Sequence, residues 1–202
     1  MFAIVEAAGW PIWFLILASI IAVGLIVERF VFLRTSRVSP TSLLDEVVKE
    51  MKQRGVSGGM LNRLTESSPL GRIFAAGLKN IKSPPDVMKE SIEEAGRKVA
   101  HDLEHFLTTL GTIASISPLL GLFGTVVGMI EIFGSQTAMG NNPAILAHGI
   151  SVALYNTAFG LIVAIPSMIF YRHFRAQVDS LTIEMEQQAV KLIEIVHGQR
   201  KD

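Results

Sequence analysis

The sequence predicts an all-α membrane protein with three transmembrane helices, its N-terminus outside and its C-terminus inside. Two observations carry that reading: three apolar runs long enough to cross a bilayer, and the confinement of every basic residue to one side of them. Half of the 202 residues are hydrophobic and 18% are charged, whereas about a quarter are charged in an ordinary soluble domain. The zero net charge hides a sharp segregation. All 18 Lys and Arg fall within Arg29 to Lys98 and Arg172 to Lys201. Between Glu104 and Arg172 the ionisable side chains are His105, Glu131, His148, Tyr155 and Tyr171. So long a stretch without Lys or Arg reads as two spans and a short connector, not as a solvated surface.

The first run, Pro11 to Val27, continues through Phe30 to Leu33 past the pair Glu28-Arg29. It meets the requirement of about 20 apolar residues for a hydrocarbon core. Trp10 and Trp13 at its start fit the interfacial aromatic belt. No basic segment precedes it and no small-x-small site precedes Glu28, so it reads as an anchor and not as a cleaved signal. Glu28 and Arg29 read as an interfacial anchor at its inner end, with a subunit contact as the alternative. The second run is Phe106 to Phe133 and the third Ile145 to Tyr171. Gly134 to Pro143 is an uncharged, turn-rich connector, in which Asn142 can cap a helix that Pro143 opens. Basic residues mark the inner side of a membrane, which sets the orientation.

The expected organisation is a first transmembrane helix over residues 1–34 and a cytoplasmic helical loop over 35–84. A long helix containing the second span follows over 85–134, then a periplasmic connector over 135–144. Residues 145–202 form the third span and a cytoplasmic C-terminal helix. Within the loop, a helix runs from near Ser42 and stops before Gly55, and Gly55 to Gly59 reads as a loop. Ser68-Pro69 opens a short helix to about Asn80. Ser83-Pro84-Pro85-Asp86 is the clearest start signal, with a capping Ser and prolines in the first turn. A helix from Pro85 to Phe133 would be roughly 73 Å long, more than twice the hydrocarbon thickness, so it should project into the cytoplasm. The tail after Tyr171 repeats Val178, Leu181, Met185, Ala189, Leu192 and Ile195-Val196 at helical spacing. The two extensions can pair as an antiparallel stalk.

With no cysteine there is no disulfide framework, thiolate metal site or Cys nucleophile. Basic and acidic residues interleave, which argues against a nucleic-acid surface. His101 and His105 stand at i and i+4, but without the order that supplies a general base and without a third ligand. No metal, cofactor or enzyme active site is expected.

The most informative segment is Ser117-Pro118-Leu119-Leu120-Gly121-Leu122-Phe123-Gly124-Thr125-Val126-Val127-Gly128-Met129. Gly124 and Gly128 form a G-x-x-x-G pair, which lets helices approach closely in a membrane. Ser117, Gly121, Thr125 and Gly128 share one face. The third span carries a matching stripe of Ala153, Thr157, Gly160 and Ala164. Packing alone can explain such stripes. Thr125, however, lies eight residues before Phe133 and Thr157 eight after Gly149, which in antiparallel helices puts both hydroxyls about 12 Å below one surface. Paired hydroxyls at one depth can hold a water or pass a proton. They can equally bond back to their own helices. Glu131, near the outer end of span two, can gather cations at a pore mouth or rest as an interfacial carboxylate. The stripes look too extensive for a single pair contact, which suggests a homo-oligomeric ring lined by Ser117, Gly121, Gly124, Gly128, Ala153 and Gly160.

The segment Ile116 to Ile130 resembles the second-span motif of the ExbB/TolQ/MotA proton-channel family, on its ExbB/TolQ branch. Gly149-Ile-Ser-Val-Ala-Leu-Tyr-Asn-Thr-Ala-Phe-Gly-Leu-Ile-Val-Ala-Ile-Pro166 resembles that branch's third-span motif. The resemblance implies a homopentamer in the inner membrane of a Gram-negative bacterium, surrounding a dimer of ExbD- or TolR-like single-span subunits. Proton flow through that stator would do mechanical work on a TonB- or TolA-like periplasmic protein, for outer-membrane transport or integrity. By motif position the family's pore threonines fall on Thr125 and Thr157. Many relatives carry an acid at the position of Val152. A second reading is a passive helical membrane scaffold for a secretion or transport complex; a third, a hydrolase built on His101 and His105, lacks a nucleophile. Hydroxyls and carbonyls would serve sodium as well as protons.

Overall fold

The structure, a computed structural model, describes residues 9–139 and 143–198. Eight helices occur among them, with no strand: α1 (Ile12–Phe32), α2 (Thr35–Val38), α3 (Leu43–Arg54), α4 (Gly58–Ser67), α5 (Pro69–Lys79), α6 (Pro85–Glu104), α7 (Leu107–Met139) and α8 (Pro143–Val196). Three helical stretches are long and apolar enough to cross a membrane: Ile12–Phe32, Pro85–Gly134 and Ala147–Val196. The expected all-α class with three spans, the last two in long helices, therefore holds. The expected capping of Pro143 by Asn142 lies outside the described residues.

The chain divides into two compact units, one from residues 1–28 and 106–173 and the other from 29–105 and 174–202. In the first, Ile12, Leu15 and Ala22 of α1, Leu107, Leu110 and Ala114 of α7, and Ala153, Val163 and Ala164 of α8 are buried. Elsewhere their surfaces stay apolar and exposed, as at Ile20, Leu119, Ile130 and Ile162, which is how a helix faces lipid or another apolar helix. Pro118 and Pro166 each lie inside a helix. Each removes one backbone donor, the one that would have reached the Ala114 carbonyl from position 118 and the Ile162 carbonyl from position 166, and the serine beside each proline bonds the carbonyl next to the freed one. Ser117 donates to the Ile113 carbonyl at 2.7 Å and Ser167 to the Val163 carbonyl at 2.7 Å.

The second unit is held by an ordinary apolar core. Phe74, Leu70 and Leu78 of α5, Met88 and Leu103 of α6, and Phe174, Val178, Leu181, Met185, Ala189 and Leu192 of α8 are buried. The amphipathic stripe read from the tail is thus the face that packs, and Ile195 and Val196 at its end are only half-buried. α6 and the end of α8 run antiparallel here, with Arg175 3.5 Å from Glu104 at one end of the pair.

Local signals were obeyed unevenly. Gly55, at φ 71°, ends α3, a conformation glycine adopts without strain. Ser68 accepts from the Gly71 amide at 3.0 Å with Pro69 in the first turn of α5, where the sequence placed a helix start. The Gly55–Gly59 loop is shorter than expected. α4 begins at Gly58, where Ser57 accepts from the Met60 amide at 3.3 Å, and burial of Met60 and Leu64 offsets the entropy lost by two glycines. Ser83 does not cap α6: Pro84 occupies that position and no side chain bonds the first turn. The expected uninterrupted helix from Pro85 is broken by a turn at His105 and Phe106, between α6 and α7. Arg29, read from sequence as a cation facing the interface, is instead packed inside the protein: it is 3% exposed and donates to the Leu103 carbonyl at 2.9 Å.

Candidate ion-pathway site

Within the first unit α7 and α8 lie backbone to backbone, and small residues make that possible. A Cβ on Gly121 would stand 2.7 Å from the Asn156 carbonyl oxygen and 3.0 Å from the Thr157 Cα. One on Gly160 would stand 2.6 Å from the Ser117 carbonyl oxygen, and one on Gly128 3.1 Å from the Ala153 Cβ. Gly124 faces the Asn156 side chain in the same way, at 2.7 Å. Ser117, Gly121, Gly124, Gly128, Ala153 and Gly160 are therefore brought together as one seam between two helices of a single chain. That seam consumes both small-residue stripes. Their extent, which suggested a ring from sequence, is accounted for by this intrachain contact and is not by itself an argument for oligomers.

The same close approach places Thr125 and Thr157 across the seam with their hydroxyl oxygens 2.6 Å apart, either able to donate. The Thr125 hydroxyl also reaches the Gly121 carbonyl at 3.2 Å and the Ala153 carbonyl at 3.3 Å. A hydroxyl carries one hydrogen and two acceptor lone pairs, so Thr125 can donate to only one of these three oxygens at a time. When it donates to a carbonyl, Thr157 can donate to it; when it donates to Thr157, the carbonyls are released. The dyad has two hydrogen-bonded arrangements that differ by rotation of two O–H bonds. Both side chains are half-buried, so a third polar group can approach. Ser117 differs: it is 1% exposed and its hydroxyl is committed to Ile113, which makes it a packing residue.

Glu131 is exposed, six residues along α7 from Thr125, and borders a cavity together with His148, Val152 and Asn156. Among the described residues of the two spans the one carboxylate is Glu131, and Val152 borders the same cavity. Asn156 escaped the sequence reading. It is 1% exposed and packs on Gly124, and its Oδ1 atom is buried without a hydrogen-bond partner. A lone Asn in an apolar run, next to Thr157, was the signal that could have singled it out.

The profile of the MotA/TolQ/ExbB proton channel family matches residues 65–187. The chain belongs to that family. The matched stretch contains the whole seam and both threonines. Among its relatives, the biopolymer transport protein ExbB-like 3 of Synechocystis sp. is 34% identical over 165 residues, covering 78% of this chain and 77% of that protein. The Tol-Pal system protein TolQ of Pseudomonas aeruginosa is 30% identical over 184 residues, covering 83% and 80%. The biopolymer transport protein ExbB of Salmonella typhimurium is 46% identical over 72 residues, covering 35% of this chain and 30% of that protein. These similarities support the ExbB/TolQ branch, and the chain is a membrane protein of a proton-channel family.

Proposed function

We propose that this chain is a subunit of an ExbB/TolQ-like stator that converts proton motive force into mechanical work. In this reading five copies surround a dimer of ExbD- or TolR-like single-span subunits in the inner membrane of a Gram-negative bacterium. A TonB- or TolA-like periplasmic protein receives the work, for outer-membrane transport or integrity. The N-terminus faces the periplasm, because the segments rich in Lys and Arg belong on the cytoplasmic side.

The observation that supports this most is the hydroxyl pair. Thr125 and Thr157 offer a proton relay with two arrangements, in the stretch where the chain is free of Lys and Arg. A hydroxyl relays a proton but holds no net charge near neutral pH, so conduction needs a group that changes protonation state. Glu131 is the one carboxylate of the second and third spans, and it lies away from the threonines. The carrier is therefore an Asp on the partner's single span, facing the threonines, where hydrogen bonds offset the cost of an acid in hydrocarbon. The bonds from Thr125 to Gly121 and Ala153 favour the rival reading, a passive scaffold in which hydroxyls only tie helices together.

Proton flux into proteoliposomes separates the two. The purified chain should conduct nothing alone and conduct once a single-span partner bearing an Asp is co-reconstituted. Robust uptake by the chain alone would place the acid in this chain, with Glu131 the first suspect. No flux with the partner in place would leave the scaffold.

A further inference from the structure

One feature of the first unit has no counterpart in the threonine relay. A cavity of about 370 Å³ lies between α7, α8 and the residues just before α1. At one end it is bordered by Glu131 and His148; at the other by Gly128, Ala153 and the buried amide of Asn156. That inner end adjoins the relay directly. Ala153 supplies the carbonyl 3.3 Å from the Thr125 hydroxyl, Gly128 is one turn from Thr125, and Asn156 precedes Thr157 in the chain.

The lining is wrong for a dry void. Empty cavities are apolar, whereas a space of this size with several polar groups holds water. A carboxylate beside hydrocarbon is tolerated only where water or a partner reaches it. The electrostatics are equally specific. No Lys or Arg occurs between Lys98 and Arg172. The titratable groups of α7 and α8 within this unit are Glu131, His148, Tyr155, Tyr171, Arg172 and His173, of which only Glu131 and His148 border the cavity. On the described part of α1 in this unit, the one charged residue is Glu28, at the far end of the helix. With His148 neutral, the side-chain field in the cavity is that of one carboxylate.

We infer that this cavity is a hydrated, cation-attracting vestibule carried by each subunit. It concentrates monovalent cations, hydronium where protons drive the machine, beside the threonine pair. The field of Glu131 selects the charge, and the polar inner end brings water to within one turn of Thr125. A ring of such subunits has one vestibule per copy, in addition to any path along its central axis. The onward step to the threonines rests on the proton-pathway reading above; the wet, charge-selecting cavity does not.

The absence of native cysteine allows a direct test on the full chain in membranes. Val152→Cys places a unique thiol in the cavity wall. Val163→Cys, at a buried site in the same helix, is the dry control. Each is treated with a cationic and an anionic water-soluble methanethiosulfonate. The expected result is that Val152→Cys reacts, Val163→Cys stays nearly inert, and the cationic reagent is preferred. Adding Glu131→Gln should lower the cation-to-anion rate ratio roughly tenfold, the scale expected for one charge a few ångströms from a hydrated thiol. Val127→Cys, on the opposite helix and also bordering the cavity, gives the same readout should the Val152 variant fail to insert. A thiol at either position as inert as the control, or a charge preference untouched by Glu131→Gln, overturns the vestibule. Thiol labelling needs neither partner nor flux, so this outcome is distinct from failure of the threonine relay.

Discussion

Arg29 points its Nη1 at the carbonyl of Leu103, 2.9 Å away, with its guanidinium 4.9 Å from the centre of the Phe32 ring. Leu103 lies in the last turn of α6, where carbonyls run out of intrahelical donors and the helix dipole is negative. Within the second unit, a buried cation there ties the last residues of α1 to the last turn of α6.

Arg29→Met should therefore destabilise the chain by about 1.5–3 kcal/mol, the usual worth of a hydrogen bond to a charged group. Arg29→Lys keeps the charge but not the planar fork and should recover only part of the loss. Thermal unfolding in mild detergent, followed by circular dichroism, reads both. Equal melting temperatures for wild type and Arg29→Met would mean that the arginine is a bystander.

The seam makes a sharp contrast between two glycines. Gly121→Ala forces a methyl against the Asn156 carbonyl and the Thr157 backbone, and overpacking of this kind costs about 1–3 kcal/mol. Gly96→Ala, in α6, meets nothing within 4 Å and should stabilise by about 0.5–1 kcal/mol through the backbone entropy term. The same melting experiment decides, and a neutral Gly121→Ala would show that α7 and α8 are not held at this distance.

Two serines that look alike in sequence should also part company. Ser68→Ala removes a cap that accepts from Gly71 and should cost about 1 kcal/mol. Ser83→Ala removes no cap, since Pro84 holds that position in α6, and should change stability within experimental error.

Much of this was legible before any coordinates. The spans were, because a run of apolar residues without Lys or Arg has few physical alternatives, and the tail stripe from Val178 to Leu192 was, because helical periodicity reports the buried face. The level of Thr125 and Thr157 followed from counting residues along two antiparallel helices. What sequence could not convey was which surface each stripe meets. Glycines that suit a contact between subunits suit one within a chain equally well, and only the placement of Gly121 against Asn156 decides. Ser83 carried a strong local signal that the following prolines displaced by one residue. Gly58 and Gly59 carried a loop signal that burial of Met60 and Leu64 overrode. Arg29 looked like an interfacial cation because its acceptor, a backbone carbonyl 74 residues away, leaves no trace in side-chain chemistry.

The central claim is that the Thr125 and Thr157 hydroxyls carry protons, and partner-dependent proton flux through the Thr125→Val/Thr157→Val double variant tests it most directly. Valine nearly preserves the volume of threonine but removes its donor and acceptor. Flux should be compared at equal amounts of assembled complex, so that any packing defect is counted separately. The expected result is a complex that assembles in normal yield while its flux falls to the level of the partner-free chain. Full flux in the double variant would contradict the claim and leave the hydroxyls as ties between α7 and α8.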